Sequence, residues 1–148
     1  MIPHPLRARF GDGLELLGYD YTIHNVVHAH QLPATVTTFW RPLRPLASNH
    51  LLAFFFTRRD GAIVTHYLGR TPTTMWYPIH VWQVGEVIRV ETPVLSVGQL
   101  ENTLVAVMLP TADDPWFIPG RLQPIENDGQ QVLELYEEKT LLKLFGFP

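Results

Sequence analysis

The chain contains no cysteine among its 148 residues, which excludes a disulfide framework, a zinc–thiolate site and a cysteine nucleophile. Charged residues are also scarce, at 17% of the chain against about 25% in an average domain. The net charge of −3 argues against nucleic-acid binding, which requires a basic surface. Uninterrupted apolar runs reach only six residues, as at 51–56, whereas a membrane-spanning helix needs about 20. The first residues also lack the basic start and apolar core of a signal peptide.

The remaining composition predicts one folded domain. Hydrophobic residues make up 46% of a chain of this length, which is enough for a core that needs no metal or disulfide. Thirteen prolines divide the sequence into short segments and disfavour long helices. Because Pro3 and Pro5 favour extended backbone, residues 1–9 are predicted to form an N-terminal arm or linker, followed by a single domain over residues 10–148.

Short segments that alternate or are rich in β-branched and aromatic residues predict an all-β fold. No alternation of strands with helices is present, so the expected architecture is a two-sheet antiparallel β-sandwich, immunoglobulin-like or jelly-roll-like. A helix over residues 131–144 is the competing interpretation of the last two segments. The predicted strands are residues 14–21, 22–30, 34–40, 50–57, 62–68, 87–92, 103–109, 132–136 and 140–145.

Three local signals refine this prediction. Asp60-Gly61 between two apolar runs is typical of a tight β-hairpin. Gly18, inside the first predicted strand, indicates a bulge or a close backbone approach. Residues 69–85 hold two prolines, two glycines and three large aromatic residues, which predicts a long aromatic loop with a short strand near residues 79–82.

Several motifs, in this order and spacing, resemble a known family. Residues 10–20 are Phe-Gly-Asp-Gly-Leu-Glu-Leu-Leu-Gly-Tyr-Asp, and residues 39–46 are Phe-Trp-Arg-Pro-Leu-Arg-Pro-Leu. Pro-Thr-Thr-Met-Trp follows at 72–76 and Gly-Glu-Val-Ile at 85–88. Together they are similar to the β-sandwich accessory domains that lie C-terminal to bacterial membrane glycosyltransferases of the protein-mannosyltransferase type. The resemblance covers residues 10–120 and implies a domain outside the cytoplasm, next to a membrane-embedded domain, that handles glycan or lipid-linked sugar. It implies no catalytic residue.

The aromatic loop supplies the candidate binding residues Trp76, Tyr77 and Trp82, with Trp116 in a second loop. Aromatic faces stack on the apolar faces of sugar rings, and tryptophan and tyrosine are also common in protein interfaces. The alternative is that these rings cap the open end of the sandwich and are buried there.

Metal binding is a weaker hypothesis. His24, His28 and His30 would share one face of a strand and could bind zinc or copper, but surface histidines are the favoured interpretation. The acidic turns could offer oxygen ligands to calcium, but none has an EF-hand-like ladder, so turn formation is favoured. These turns are at Asp12, Asp113-Asp114 and Asn127-Asp128.

Catalytic signals are absent from the sequence pattern. The two serines, Ser48 and Ser96, lie outside any Gly-x-Ser-x-Gly motif, and nothing selects a pair of carboxylates for glycoside hydrolysis. We therefore expect a non-catalytic binding domain without a cofactor, whose partner is a glycan or a protein. The alternatives are a structural interaction or oligomerisation module and a metal-dependent enzyme built on the three histidines.

Overall fold

A computed structural model of the chain describes residues 2–11, 13–24, 33–47, 49–58, 60, 62–68, 72–93, 95–96, 102–110, 114, 116–126 and 133–146. Over these residues the chain forms eleven strands, one short helix and two 3-10 turns. The strands are β1 (His4–Phe10), β2 (Leu14–Ile23), β3 (Pro33–Pro42), β4 (Leu51–Thr57), β5 (Ile63–Leu68), β6 (Ile88–Glu91), β7 (Leu95–Ser96), β8 (Asn102–Met108), β9 (Pro124–Glu126), β10 (Leu135–Tyr136) and β11 (Leu141–Gly146). The helix α1 spans Pro72–Trp76, and the 3-10 turns span Ile79–Val81 and Ile118–Gly120.

The strands form two antiparallel sheets, which confirms the all-β two-sheet sandwich. The first sheet has the order β6-β3-β2-β1-β9, with β7 also paired to β3, and the second has the order β10-β11-β8-β4-β5. Side chains from both sheets meet in one apolar core, in which Phe10 and Trp40 of the first sheet join Phe54 and Phe56 of the second. Burial of these large rings, together with the aliphatic side chains around them, stabilises the fold.

Two local predictions about turns and bulges are confirmed. Strands β4 and β5 pair as an antiparallel hairpin around Asp60, whose Oδ1 accepts a hydrogen bond from the Ala62 amide at 3.0 Å. At Gly18 the register of β2 shifts against β3. A Cβ on Gly18 would lie 2.5 Å from the His4 carbonyl oxygen, so the expected close backbone approach is also present.

The N-terminal segment differs from its expected form. Residues 4–9, expected as an arm or linker, form most of β1, which pairs with β2 on one side and β9 on the other. The alternation of Ala8 and Phe10, both buried, with the partly exposed Arg7 and Arg9 explains why this segment joins the sheet.

The aromatic loop also differs from its expected form. The short strand expected near residues 79–82 is wrong, because this segment turns instead: the Val81 amide donates to the Pro78 carbonyl at 3.0 Å and the Trp82 amide to that of Ile79 at 3.1 Å. Earlier in the same loop, residues Pro72–Trp76 form the short helix α1.

At the C-terminal end, the helical alternative for residues 131–144 is excluded. The described part, residues 133–146, contains β10, β11 and a turn with positive φ at Glu137, Glu138 and Lys139. Residues 25–30 of the predicted strand 22–30 lie outside the described residues. In the described part of the chain, helices are too short and not apolar enough to cross a bilayer.

Candidate functional site

The rings of the aromatic loop lie in different environments, and Trp82 belongs to the core. Its side chain is only 3% exposed, and its indole nitrogen donates a hydrogen bond to the Tyr77 carbonyl oxygen at 2.9 Å. Ile79, also buried, joins the same apolar cluster. The expectation that Trp82 offers a ring face to a ligand is therefore wrong, because the ring packs inside the sandwich.

Trp76 has the opposite environment. It ends the short helix α1, which packs beside the edge strand β6, and its side chain is 88% exposed. Met75, the residue before it, is 61% exposed. A tryptophan with this exposure contributes little to the core, so its ring is available for contact with another molecule.

Three valines extend this exposed apolar region along the chain. Val81, Val84 and Val87 all have solvent-exposed side chains in the segment that runs from the 3-10 turn to the start of β6. We call the set of Met75, Trp76, Val81, Val84 and Val87 the apolar surface 75–87. Met75 and the valines were not among the residues expected from the sequence, because their exposure depends on tertiary packing and has no local sequence signal.

Hydrogen bonds hold the two halves of this segment together. The Tyr77 hydroxyl donates to Glu86 Oε1, which also accepts from the Gln83 amide at 3.0 Å. The Gly85 amide donates to the Pro42 carbonyl at 2.9 Å and so fixes the segment to the end of β3. Tyr77 is thus half-buried and structural, rather than a ring open to a ligand.

The same contacts change the ionisation of this pair. The hydrogen bond from Tyr77 lowers the pKa of the Glu86 carboxyl, and the bond from the Gln83 amide lowers it further. The bond to Glu86 raises the pKa of the Tyr77 hydroxyl, because ionisation would remove the donated proton. Glu86 therefore keeps its negative charge at neutral pH, at the side of the apolar surface 75–87.

Trp116 lies in a separate environment. Its half-exposed ring makes edge contacts with Phe55 and His66 on the second sheet, with centroids 5.9 Å and 5.3 Å away. Its amide donates to Asp114 Oδ1 at 2.9 Å, so this acidic residue shapes a turn, as expected. Of the other acidic turns, Asp12, Asp113, Asn127 and Asp128 lie outside the described residues.

Arg121 is a buried cation that contacts Phe55, the residue of the second sheet that Trp116 also contacts. The Arg121 side chain is fully buried, with its guanidinium 4.9 Å from the centre of the Phe55 ring. Its Nη1 donates to Glu137 Oε2 at 2.7 Å. The two residues are 16 apart and neither belongs to a motif, so this pair has no signal in the sequence.

The histidine hypothesis is tested only at its first residue. His24 is exposed, and its Nε2 lies 2.9 Å from Thr35 Oγ1. His28 and His30 lie outside the described residues. Among the residues that the structure does describe, no group of three His, Asp or Glu side chains could hold a metal ion.

Comparisons with protein-family models, curated proteins and solved structures found no match. The resemblance to glycosyltransferase-associated accessory domains therefore stays a prediction from the sequence motifs. What the geometry adds is a set of exposed apolar side chains between α1 and β6, at one edge of the first sheet, among which Trp76 is the most exposed.

Proposed function

We propose that the chain is a non-catalytic accessory domain that binds another protein through the apolar surface 75–87. The observation that carries this proposal is the 88% exposure of Trp76 next to the exposed Met75. Tryptophan and methionine are enriched in protein interfaces, and tryptophan is among the residues whose removal weakens binding most. An apolar surface of this kind gains free energy when a partner removes it from water.

The neighbours of Trp76 favour a protein partner over a sugar. A sugar site needs polar side chains that hydrogen-bond the hydroxyl groups around the ring, whereas methionine and valine offer none. Glu86, the carboxylate beside this surface, already accepts hydrogen bonds at Oε1 from Tyr77 and Gln83. Trp82, which would have provided a second stacking ring, is buried. The exposed apolar side chains between α1 and β6 each gain free energy when a protein partner covers them, and this favours the interaction module among the hypotheses from the sequence.

Glycan binding is the second candidate, and the open ring of Trp76 supports it. A single exposed indole can stack on the apolar face of a sugar, and the resemblance to glycosyltransferase-associated domains points to glycan or lipid-linked sugar. Calorimetric titration with mannose- and glucose-containing oligosaccharides tests this candidate. Heat of binding that disappears in Trp76→Ala would favour the glycan and would count against the protein partner.

The protein-partner proposal is tested by site-specific photo-crosslinking in cells that produce the full natural protein. A photoreactive amino acid replaces Val84, which is 54% exposed, or in the control Ile125, which is 51% exposed. The control is well matched, because Ile125 is on β9, at the opposite edge of the first sheet from β6.

We expect a discrete protein adduct from position 84 and none from position 125. An adduct of twice the chain mass would identify a second copy as the partner, and any other mass would identify a different protein. Folded protein without an adduct at position 84, or equal adducts at both positions, would contradict the proposal.

A further inference from the structure

A small cleft opens where the turn between β1 and β2 meets the connection from β3 to β4. Its volume is about 170 Å³. Phe10 and Leu14, which are 1% and 2% exposed, provide a buried apolar floor. Leu46 and Leu122, both partly buried, add apolar walls. None of the residues that line the cleft belongs to the apolar surface 75–87.

Gly13 sets the shape of this cleft. A Cβ at position 13 would lie 3.0 Å from Leu46 Cδ2 and 3.1 Å from Arg44 Nε, closer than ordinary packing allows. The absence of a side chain therefore lets Arg44 and Leu46 approach the backbone, which itself is held by a 2.8 Å hydrogen bond from the Leu43 amide to the Gly13 carbonyl. A larger residue here would displace both lining side chains.

The size of the cleft limits the ligand. An apolar protein cavity of about 150 Å³ is known to hold benzene, and pockets for drug-sized molecules begin at about 300 Å³. A space of 170 Å³ therefore accepts one six-membered ring or a branched aliphatic group of similar size.

The polar lining residues select the charge of the ligand. Arg44, which is exposed, and His50, which is half-buried, line the cleft beside its apolar residues. A guanidinium carries five N–H donors, so Arg44 can keep an existing contact and still offer a pair of donors to a carboxylate. We propose that this cleft binds small carboxylates with a ring-sized apolar body, with the body on Phe10 and Leu14 and the carboxylate at Arg44.

Benzoate is the probe for this site, with benzyl alcohol as its neutral counterpart of similar size. Both are titrated into the isotope-labelled chain while amide chemical shifts are recorded by NMR. So small a ligand should bind with a Kd on the order of millimolar. We expect the largest shifts at the residues that line the cleft, above all Phe10, Leu14 and Arg44, with benzoate binding more tightly than benzyl alcohol.

Two variants and a control test the assigned contacts. Arg44→Gln should weaken benzoate about tenfold and leave benzyl alcohol unchanged, because only the charged contact is lost. Gly13→Ala should weaken both ligands. The control Arg89→Gln, which removes an exposed arginine from β6, should change neither.

The spectrum of each variant without ligand reports whether it is folded, and Arg44→Met, which also removes the charge but keeps an apolar stem of similar length, replaces Arg44→Gln if the latter is not. Benzoate that fails to bind the wild-type chain, that shifts residues outside the cleft, or that binds wild type and the folded Arg44 variant equally would overturn the proposal.

Discussion

The indole nitrogen of Trp82 donates a hydrogen bond to the main-chain carbonyl of Tyr77 across 2.9 Å. This bond closes the segment between the two residues, so that Trp82 points into the core. Trp76, immediately before Tyr77, ends α1 on the solvent side. Two tryptophans of one loop therefore have separate roles, one in the stability of the fold and the other in the exposed surface.

The two tryptophans should respond differently to truncation. Trp82→Ala should lower the free energy of unfolding by about 3–5 kcal/mol, because it empties a site in the core. Trp76→Ala should change it by less than about 0.5 kcal/mol, because the ring makes little packing contact. Urea denaturation followed by circular dichroism measures both. Similar losses in the two variants would contradict their assigned environments.

The sequence predicted the sheet strands well where side chains report their environment locally. Strand β4 is apolar on both faces because Phe54 and Phe56 join the core between the sheets, whereas Ala53 and Phe55 join a second buried cluster on the other face. The Asp60-Gly61 hairpin follows from turn chemistry within a few residues. The short edge strands β7 and β9 were missed, since two or three residues are too few to show a period.

The candidate site was harder to predict, because burial depends on tertiary contacts. Trp76 and Trp82 are the same residue type, six positions apart in one loop, and only the packing of the sheets separates the exposed ring from the buried one. Arg121 and Glu137 likewise meet through tertiary structure, because β11, which follows the turn of Glu137, pairs with β8, and Met108 of β8 bridges to Arg121. Neither relationship has a local sequence signal.

The close approach at Gly18 predicts a steric effect of substitution. In Gly18→Ala the new methyl would meet the His4 carbonyl oxygen, so we expect a loss of more than about 2 kcal/mol of unfolding free energy. Gly85→Ala is the control, because Gly85 also has positive φ (82°) but nothing lies within 4 Å of the added Cβ. It should lose about 1 kcal/mol, from backbone strain alone. Thermal and chemical denaturation compare the two, and a Gly18 variant as stable as the Gly85 variant would exclude the clash.

The pair Tyr77–Glu86 predicts a dependence of stability on pH. Because the hydrogen bond lowers the pKa of Glu86 on folding, its contribution is complete above the ordinary carboxyl pKa and is lost as the pH falls through the lowered value. The difference in unfolding free energy between wild type and Tyr77→Phe should therefore shrink as the pH falls below the ordinary carboxyl pKa of about 4.5. Since the folded pKa of Tyr77 is raised, the same difference should also shrink at strongly alkaline pH. A difference that is constant across the acidic range would contradict the pairing.

The buried Arg121 predicts unequal roles for two neighbouring glutamates. Glu137→Ala removes the carboxylate that accepts from Arg121 Nη1 at 2.7 Å and should lower the unfolding free energy by about 1.5–3 kcal/mol. Glu138→Ala is a matched control, because Glu138 is exposed and also has positive φ. It should change stability by less than about 0.5 kcal/mol. Equal effects in chemical denaturation would show that the ion pair does not stabilise the fold.

The most direct test of the central claim is the photo-crosslink yield from position 84 with and without Trp76→Ser. If Trp76 is the centre of a partner-binding surface, its removal should weaken binding at least about tenfold and reduce the adduct accordingly, while the unfolding free energy stays unchanged. Retention of the full adduct by a folded Trp76→Ser chain would contradict the account, because the partner would then bind without the residue on which the proposed surface is centred.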